Sequence, residues 1–462
     1  NTYRLGGGNA NYGGSSYRGF SVSNLSDGAV ANSVVIGTPG IVELKAGNTY
    51  SGKTVVTNRG VLFIKEDGLG AVPETPDATN LTVDNGVIRF GSGTFTLHAN
   101  RGIVVGSGGM ELHPWGGYSA TVAGNLSGTG KITVTDSGWV TFAGTENSYS
   151  GLMDISSGRN LRIGDGANFS WSEAGTFAVN GTLALKNDTA QSFGNTLSGS
   201  GSLRKEGSGA LTLTAANSYG GVTYVDGGSL KVASTNVLPR GAGKGVVEIA
   251  SGAQLEVNGL ALTVGGLQGN GRVVDSTATA GTVSVGETNV TALFSGTVDP
   301  ALKLVKVGAG KQILANATGA ANQAEIKAGT LELIGAAAVT GTVTLAGGTL
   351  AISSGTTGLM GSYYTLSVAP TTNDFVSYAA VTNFFNGKTP AVVSNSWGFG
   401  STFNALAAGT RFPAPYNGRD FGNFAVLWTG SFWAEKAGDY GFSTASDRSE
   451  EHTSELQSRS DL

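Results

Sequence analysis

Gly47–Thr54 reads GNTYSGKT, a literal G-x-x-x-x-G-K-[ST] phosphate-loop pattern. That chemistry needs a strand before the loop and a helix after it, so that backbone N–H groups and the helix N-terminus meet the phosphates. The next ten residues, VVTNRGVLFI, are instead β-branched and strand-like. Nucleotide binding is therefore not expected, and Gly-x-Gly-x-x-Gly patterns carry no weight in so Gly-rich a chain. His98 and His113 are the other candidates for acid–base or metal chemistry. Neither shows a second His or a carboxylate at a useful spacing, so both read as surface or packing residues. A serine–histidine site would need a nucleophile elbow and an acid, and neither is visible. Cysteine is absent, which removes a thiolate nucleophile, a thiolate zinc site and a disulfide scaffold. Asp and Glu are dispersed, without an Asp-Asp or Asp-x-Asp cluster. Glycoside hydrolysis needs two carboxyls across the sugar. Acids distant in sequence can still meet on neighbouring rungs of a repeat fold, so a secreted carbohydrate-active enzyme (polysaccharide lyase or glycoside hydrolase), or its scaffold, stands as the alternative reading.

The elements that would position such residues are short strands. Of 462 residues, 75 are Gly, 10 are Pro, 40% are hydrophobic and only 13% are charged. Gly without Pro excludes collagen, and the apolar content excludes a disordered chain. Val, Leu, Ile and Thr alternate in short runs separated by Gly, Asn, Asp and Ser, the pattern of many strands joined by turns. A net charge of −4 leaves no basic footprint for nucleic acid. No apolar run approaches the ~20 residues of a membrane-spanning helix.

Internal repeats organise those strands. LSGTGKITVTDSGWVTFAGTENSYSG, from Leu126, aligns with LSGSGSLRKEGSGALTLTAANSYGG, from Leu197, and GIVELKAGNTYSGKTVV, from Gly40, repeats the second half. A shorter unit recurs as GTLAL, GSLKV, GAQLEV, GTLEL and GTLAI, placing Leu183, Leu230, Leu255, Leu331 and Leu350 in equivalent roles. Periods of about 20–25 residues signal a solenoid. Strand alternation puts Leu230 and Val232 inward and Lys231 outward, with Thr, Ser, Lys and Glu as the outward types. Tyr50, Tyr149 and Tyr219 mark equivalent corners of different rungs. About 350 residues at ~22 per rung gives ~16 rungs, or roughly 75 Å.

These sentences resemble the autotransporter-associated β-strand repeat, also called the passenger-associated transport repeat. The match is carried by LSGSGSL…GSGALTLT…NSYGGVTYVDGGSLKV (Leu197–Val232), by the copy from Leu126, by GNTYSGKTVV at Gly47 and by the opening TYRLGGGN. The resemblance covers residues 1–352 with looser rungs between. It implies a right-handed parallel β-solenoid (β-helix), exported to or beyond the outer membrane of a Gram-negative-type bacterium. The chain opens at Asn1 with neither Met nor a signal peptide, so an internal cut is expected there.

At Ser353 the pattern changes to an aromatic-rich stretch that a thin rung cannot hold and a β-sandwich can. GLMGSYY at Gly358, Phe424–Gly430 and the AGDYGF turn at Ala437 resemble the protective-antigen-type (PA-fourteen) β-sandwich, a frequent glycan-binding module. In the sugar-binding members of that family, two Asp hold a calcium ion that grips sugar hydroxyls. Here Ser446-Asp447 supplies the first, and the second is missing, so calcium is expected only in an intact module. Asp447 is the candidate calcium and carbohydrate ligand, with Trp397 and Trp433 as candidate sugar contacts. RSEEHTSELQS, from Arg448, resembles a translated sequencing adapter.

The expected fold class is thus all-β. The expected division is a solenoid over 1–352, a linker over 353–357, a partial sandwich over 358–447 and an adapter-derived tail over 448–462. The expected role is a secreted or cell-surface stalk presenting a carbohydrate-binding module to an extracellular glycan, without catalysis and with cell-envelope association.

Overall fold

The computed structural model describes residues 1–6, 19–91, 93–167, 169–241, 243–315, 321–334, 339–353, 360–365, 392–395 and 424–429. The chain divides into two compact units, Asn1–Ile352 and Ser353–Leu462. It is all-β, with about 1% helix and a parallel β-solenoid of about 15 turns. At ~4.8 Å per turn the solenoid is roughly 70 Å long.

Three walls enclose the solenoid's core. One is a continuous ladder of 13 parallel strands running from Thr94–Leu97 to Thr349–Ser353. A second is built first by nine strands, Phe20–Val22 through Thr196–Ser198, and later by five, Ala261–Val264 through Val339–Leu345. The third is built first by six strands, Thr2–Leu5 through Leu126–Gly128, and later by another six, Gln191–Phe193 through Thr297–Val298. Ser119 lies beside Trp139, Trp139 beside Asn160, Asn160 beside Thr182 and Thr182 beside Ser202, so one rung takes 20 to 22 residues here.

Alternation decides what fills the interior. Ala120, Val140, Leu161, Leu183 and Leu203 are register neighbours on consecutive strands and are all buried. Leu230 and Val232 point inward and Lys231 is partly exposed, as alternation requires. The equivalent leucines do not form one column: Leu230 pairs with Leu255 on the third wall, whereas Leu183 and Leu331 sit on the 13-strand wall. Lysine is not always an outward type either. In SLRKE the side chains of Leu203 and Lys205 share the inner face, and Lys205 and Lys306 are both 0% exposed.

Each of the two interrupted walls has a gap, and the 13-strand wall starts late. The Asn-x-Tyr-x-Gly motifs fall where strands are missing. Tyr50 precedes the start of the 13-strand wall at Thr94, Tyr149 lies where the third wall has ended at Gly128 and not resumed at Gln191, and Tyr219 lies between the two sheets of the second wall. All three rings are 0% exposed. The Asn two residues earlier replaces the missing ladder bonds. Asn48, Asn147 and Asn217 accept from the N–H of Leu25, Leu126 and Leu197 on the preceding rung, at 2.9, 2.8 and 2.8 Å. They donate to carbonyls of Gly68, Ser170 and Val237 on the following one. A buried amide that joins both neighbours satisfies backbone groups that would otherwise be orphaned.

The two long copies of the repeat do not use the same walls. In the copy from Leu126, the strands Leu126–Gly128, Ile132–Val134 and Trp139–Phe142 lie on the third, second and 13-strand walls in turn. In the copy from Leu197, the matching strands Thr196–Ser198, Ser202–Glu206 and Ala210–Leu213 lie on the second, 13-strand and third walls. The spacing of the copies is not a whole number of rungs, so the motif turns by one wall between them.

In the second unit, Met360–Thr365 is the central strand of an antiparallel sheet, between Val392–Asn395 and Phe424–Thr429. The rest of 358–447, and 448–462, lie outside the described residues.

Candidate functional site

Asp447, Trp397 and Trp433, the residues expected to meet calcium and sugar, lie outside the described residues. The GNTYSGKT segment leads into the strand Thr54–Thr57, not into a helix. Its Asn48 and Tyr50 are buried, and Lys53 Nζ donates to Thr79 Oγ1 at 2.5 Å. His98 is exposed in a turn, where its Nδ1 accepts the N–H of Asn100 at 3.1 Å. His113 is different from expectation. Its Nε2 lies 3.1 Å from Glu111 Oε2. The two are separated by one residue on the strand Met110–Pro114, which puts them on one face.

That pair lines a groove of about 310 Å³ on the outside of the second wall. Its long side is a corner column. Arg59 N–H donates to the Asn85 carbonyl at 2.6 Å, Asn85 N–H to Gly109 at 2.8 Å, and Met110 N–H to Lys131 at 2.8 Å, so Arg59, Asn85, Gly109 and Lys131 succeed one another rung by rung. Glu111, in register with Val87 and Thr133, forms the floor, with His113 beside it. Lys131 Nζ pairs with Asp154 Oδ2 at 2.6 Å. The side chain of Arg59 is exposed and has no bonding partner among the described residues.

Other charges serve the fold. Lys205 Nζ donates to the carbonyls of Glu206, Gly207 and Gly227 at 2.9, 2.7 and 3.1 Å. Burial pushes this ammonium down to about 8, while nearby Asp188 and Glu206 oppose the shift. Lys306 repeats the arrangement with the carbonyls of Val307, Gly308 and Ala328, and burial lowers it too. The K-x-G-x-G spelling common to both was the available signal. Arg101, 0% exposed, donates to Asp67, Leu69, Asn80 and Gly70, filling the corner beside the late start of the 13-strand wall. Burial would raise the Asp275 carboxyl, but the Thr277 hydroxyl and the N–H groups of Thr277, Gly281 and Gly259 donate to it and hold it below the usual range. On the outer face, Arg162 reaches across two rungs to Glu206 at 2.8 Å while covering the Trp139 ring, and Arg204 pairs with Asp226 while covering Tyr224. Among the described residues, no three His, Asp or Glu side chains gather in a metal-binding group.

The fold is a parallel β-solenoid in which many buried polar side chains bond to its own backbone. The comparisons place it more closely. Residues 39–62, 132–159, 203–232, 304–333 and 328–352 match the passenger-associated-transport-repeat family, so the chain carries autotransporter-associated repeats. Over 381 residues, 72% of this chain, it is 28% identical to "Adhesin BmaC autotransporter" of Brucella suis biovar 1 (strain 1330). The chain spans 10% of the length of that relative. No solved structure matches.

Proposed function

We propose that this chain is part of a secreted or surface-displayed, adhesin-like protein of a Gram-negative-type bacterium, in which the solenoid is a non-catalytic stalk. The observation that carries the reading is the 13-strand ladder, unbroken from Thr94–Leu97 to Thr349–Ser353. Ladder hydrogen bonds and stacked aliphatic columns give a stiff rod without any active site. The similarity to a protein named an adhesin supports the same reading. We further propose that the second unit presents a carbohydrate-binding module. Asp447 would be one of several oxygen ligands to a calcium ion, which takes 6–8 of them, and Trp397 and Trp433 would contact the sugar face.

The test is adhesion. Beads coated with the full-length parent protein are expected to adhere to glycan-coated surfaces, to release on EDTA and to rebind with calcium. Adhesion that ignores EDTA would overturn the calcium-dependent module. No adhesion to any glycan or host-cell surface would overturn the adhesin reading. Hydrolysis or eliminative cleavage of a glycan by the same protein would replace it with the enzyme reading.

A further inference from the structure

The corner column of the groove contains one residue of the wrong type for its backbone. Asn85 and Gly109 have φ values of 58° and 83°, and both types take that left-handed conformation readily. Arg59, one rung earlier, has φ 59° and follows Asn58 at φ 49°. A long side chain in this region is disfavoured relative to Gly, and such outliers concentrate where a site needs a particular group. Nothing in the fold accounts for the choice, because the Arg59 side chain bonds to none of the described residues. It is exposed at the first rung of the groove.

We infer that this groove binds a neutral, hydroxyl-rich saccharide chain lying along the solenoid axis. The charges around it cancel: Arg59 and Lys131 are balanced by Glu111 and Asp154, so an anion gains no net attraction. Two cationic donors, Arg59 and Lys131, and the Asn85 amide line one side. Acceptors or mixed groups line the floor, at Glu111, His113 and Thr133. Sugar hydroxyls donate and accept at once, so a groove lined by both a guanidinium and a carboxylate offers them charge-assisted bonds of either direction. From Arg59 to Lys131 the column spans three rung steps, about 14 Å, which suits several linked sugars rather than one. The inference concerns the solenoid alone and does not depend on the second unit.

The experiment is calorimetric titration of the full chain in EDTA, which removes any calcium-dependent binding. The probes are the neutral hexaoses cellohexaose, maltohexaose and mannohexaose, with hexagalacturonate as the anionic comparison. At least one neutral hexaose is expected to bind. Arg59→Gly is expected to weaken that binding about tenfold or more, the scale of one charge-assisted bond, while its Tm stays level or rises because Gly fits the backbone. Glu111→Gln should weaken binding as well, and Lys303→Gln, remote from the groove, should not. If no neutral hexaose binds, if Arg59→Gly binds as tightly as the parent, or if only hexagalacturonate binds, the inference fails. Binding that appears only when calcium replaces EDTA would assign the saccharide to the other module and leave the stalk reading intact.

Discussion

An ammonium group inside a protein wall survives only if oxygen atoms replace its lost water. Lys205 has three carbonyls, two from its own corner and one from the next rung. Its acidity has a consequence for stability. Burial brings the folded value to about 8, against an ordinary 10.5. Above pH 8 the folded chain releases this proton while the unfolded chain keeps it until near 10.5. Unfolding then takes up a proton, so stability rises with pH across that window. Urea titrations from pH 7 to 10.5 should show that rise, and Lys205→Met should reduce it, leaving the part that Lys306 contributes; stability that does not rise with pH in the parent would show that the carbonyls hold the proton fully. This residue was half legible. Strict alternation from Leu203 predicts an inward Lys205, yet ordinary preference for charge outside hides it, since the three carbonyls come from a corner whose fold is not written locally. The Glu111–His113 pairing was legible in the sequence, because residues two apart share a face of a strand, although not of a helix.

At the scale of the element, the informative segments are those that are not strands. Asn217 and Tyr219 occupy a gap in the second wall, with the Tyr219 hydroxyl 2.6 Å from Thr223 Oγ1. Burial raises the tyrosine hydroxyl well above its usual value, so it stays neutral and hydrogen-bonded. Tyr219→Ala should cost about 3–5 kcal/mol by chemical denaturation, because no neighbouring strand can collapse into the hole. Tyr224→Ala, which removes only a surface ring under Arg204, should cost less than about 1 kcal/mol. Equal costs would mean that the gap residues are not a substitute wall. The Asn-x-Tyr-x-Gly repeat was plain in the sequence, but its purpose was not. A gap is defined by which strands the adjacent rungs supply, and that depends on register, which no single copy encodes.

The solenoid's backbone is a stack in which each rung's ladder bonds reach only its neighbours. A defect in the middle should therefore divide it. A Cβ on Gly201 would stand 1.9 Å from the Gly181 carbonyl oxygen, so Gly201→Ala must push two rungs apart. Native-state hydrogen exchange should then show protection falling around Gly181–Gly201 and persisting towards both ends, with denaturation separating into two steps. A single cooperative loss over all rungs would mean that coupling reaches further than nearest neighbours. The parallel solenoid was legible at this scale because inward columns and Gly corners recur along the chain. The azimuth of each copy was not, because a repeat in sequence reports distance along the chain and says nothing of direction around an axis.

That azimuth matters when such a gene changes length. The sentence from Leu126 returns from Leu197 shifted by one wall. Duplicating that interval by recombination would lengthen the rod by a few rungs and also swing every later rung by about a third of a circle about the axis. Variants with different copy numbers would then present the same distal surface in different compass directions. Three such duplications would restore the original heading at greater reach.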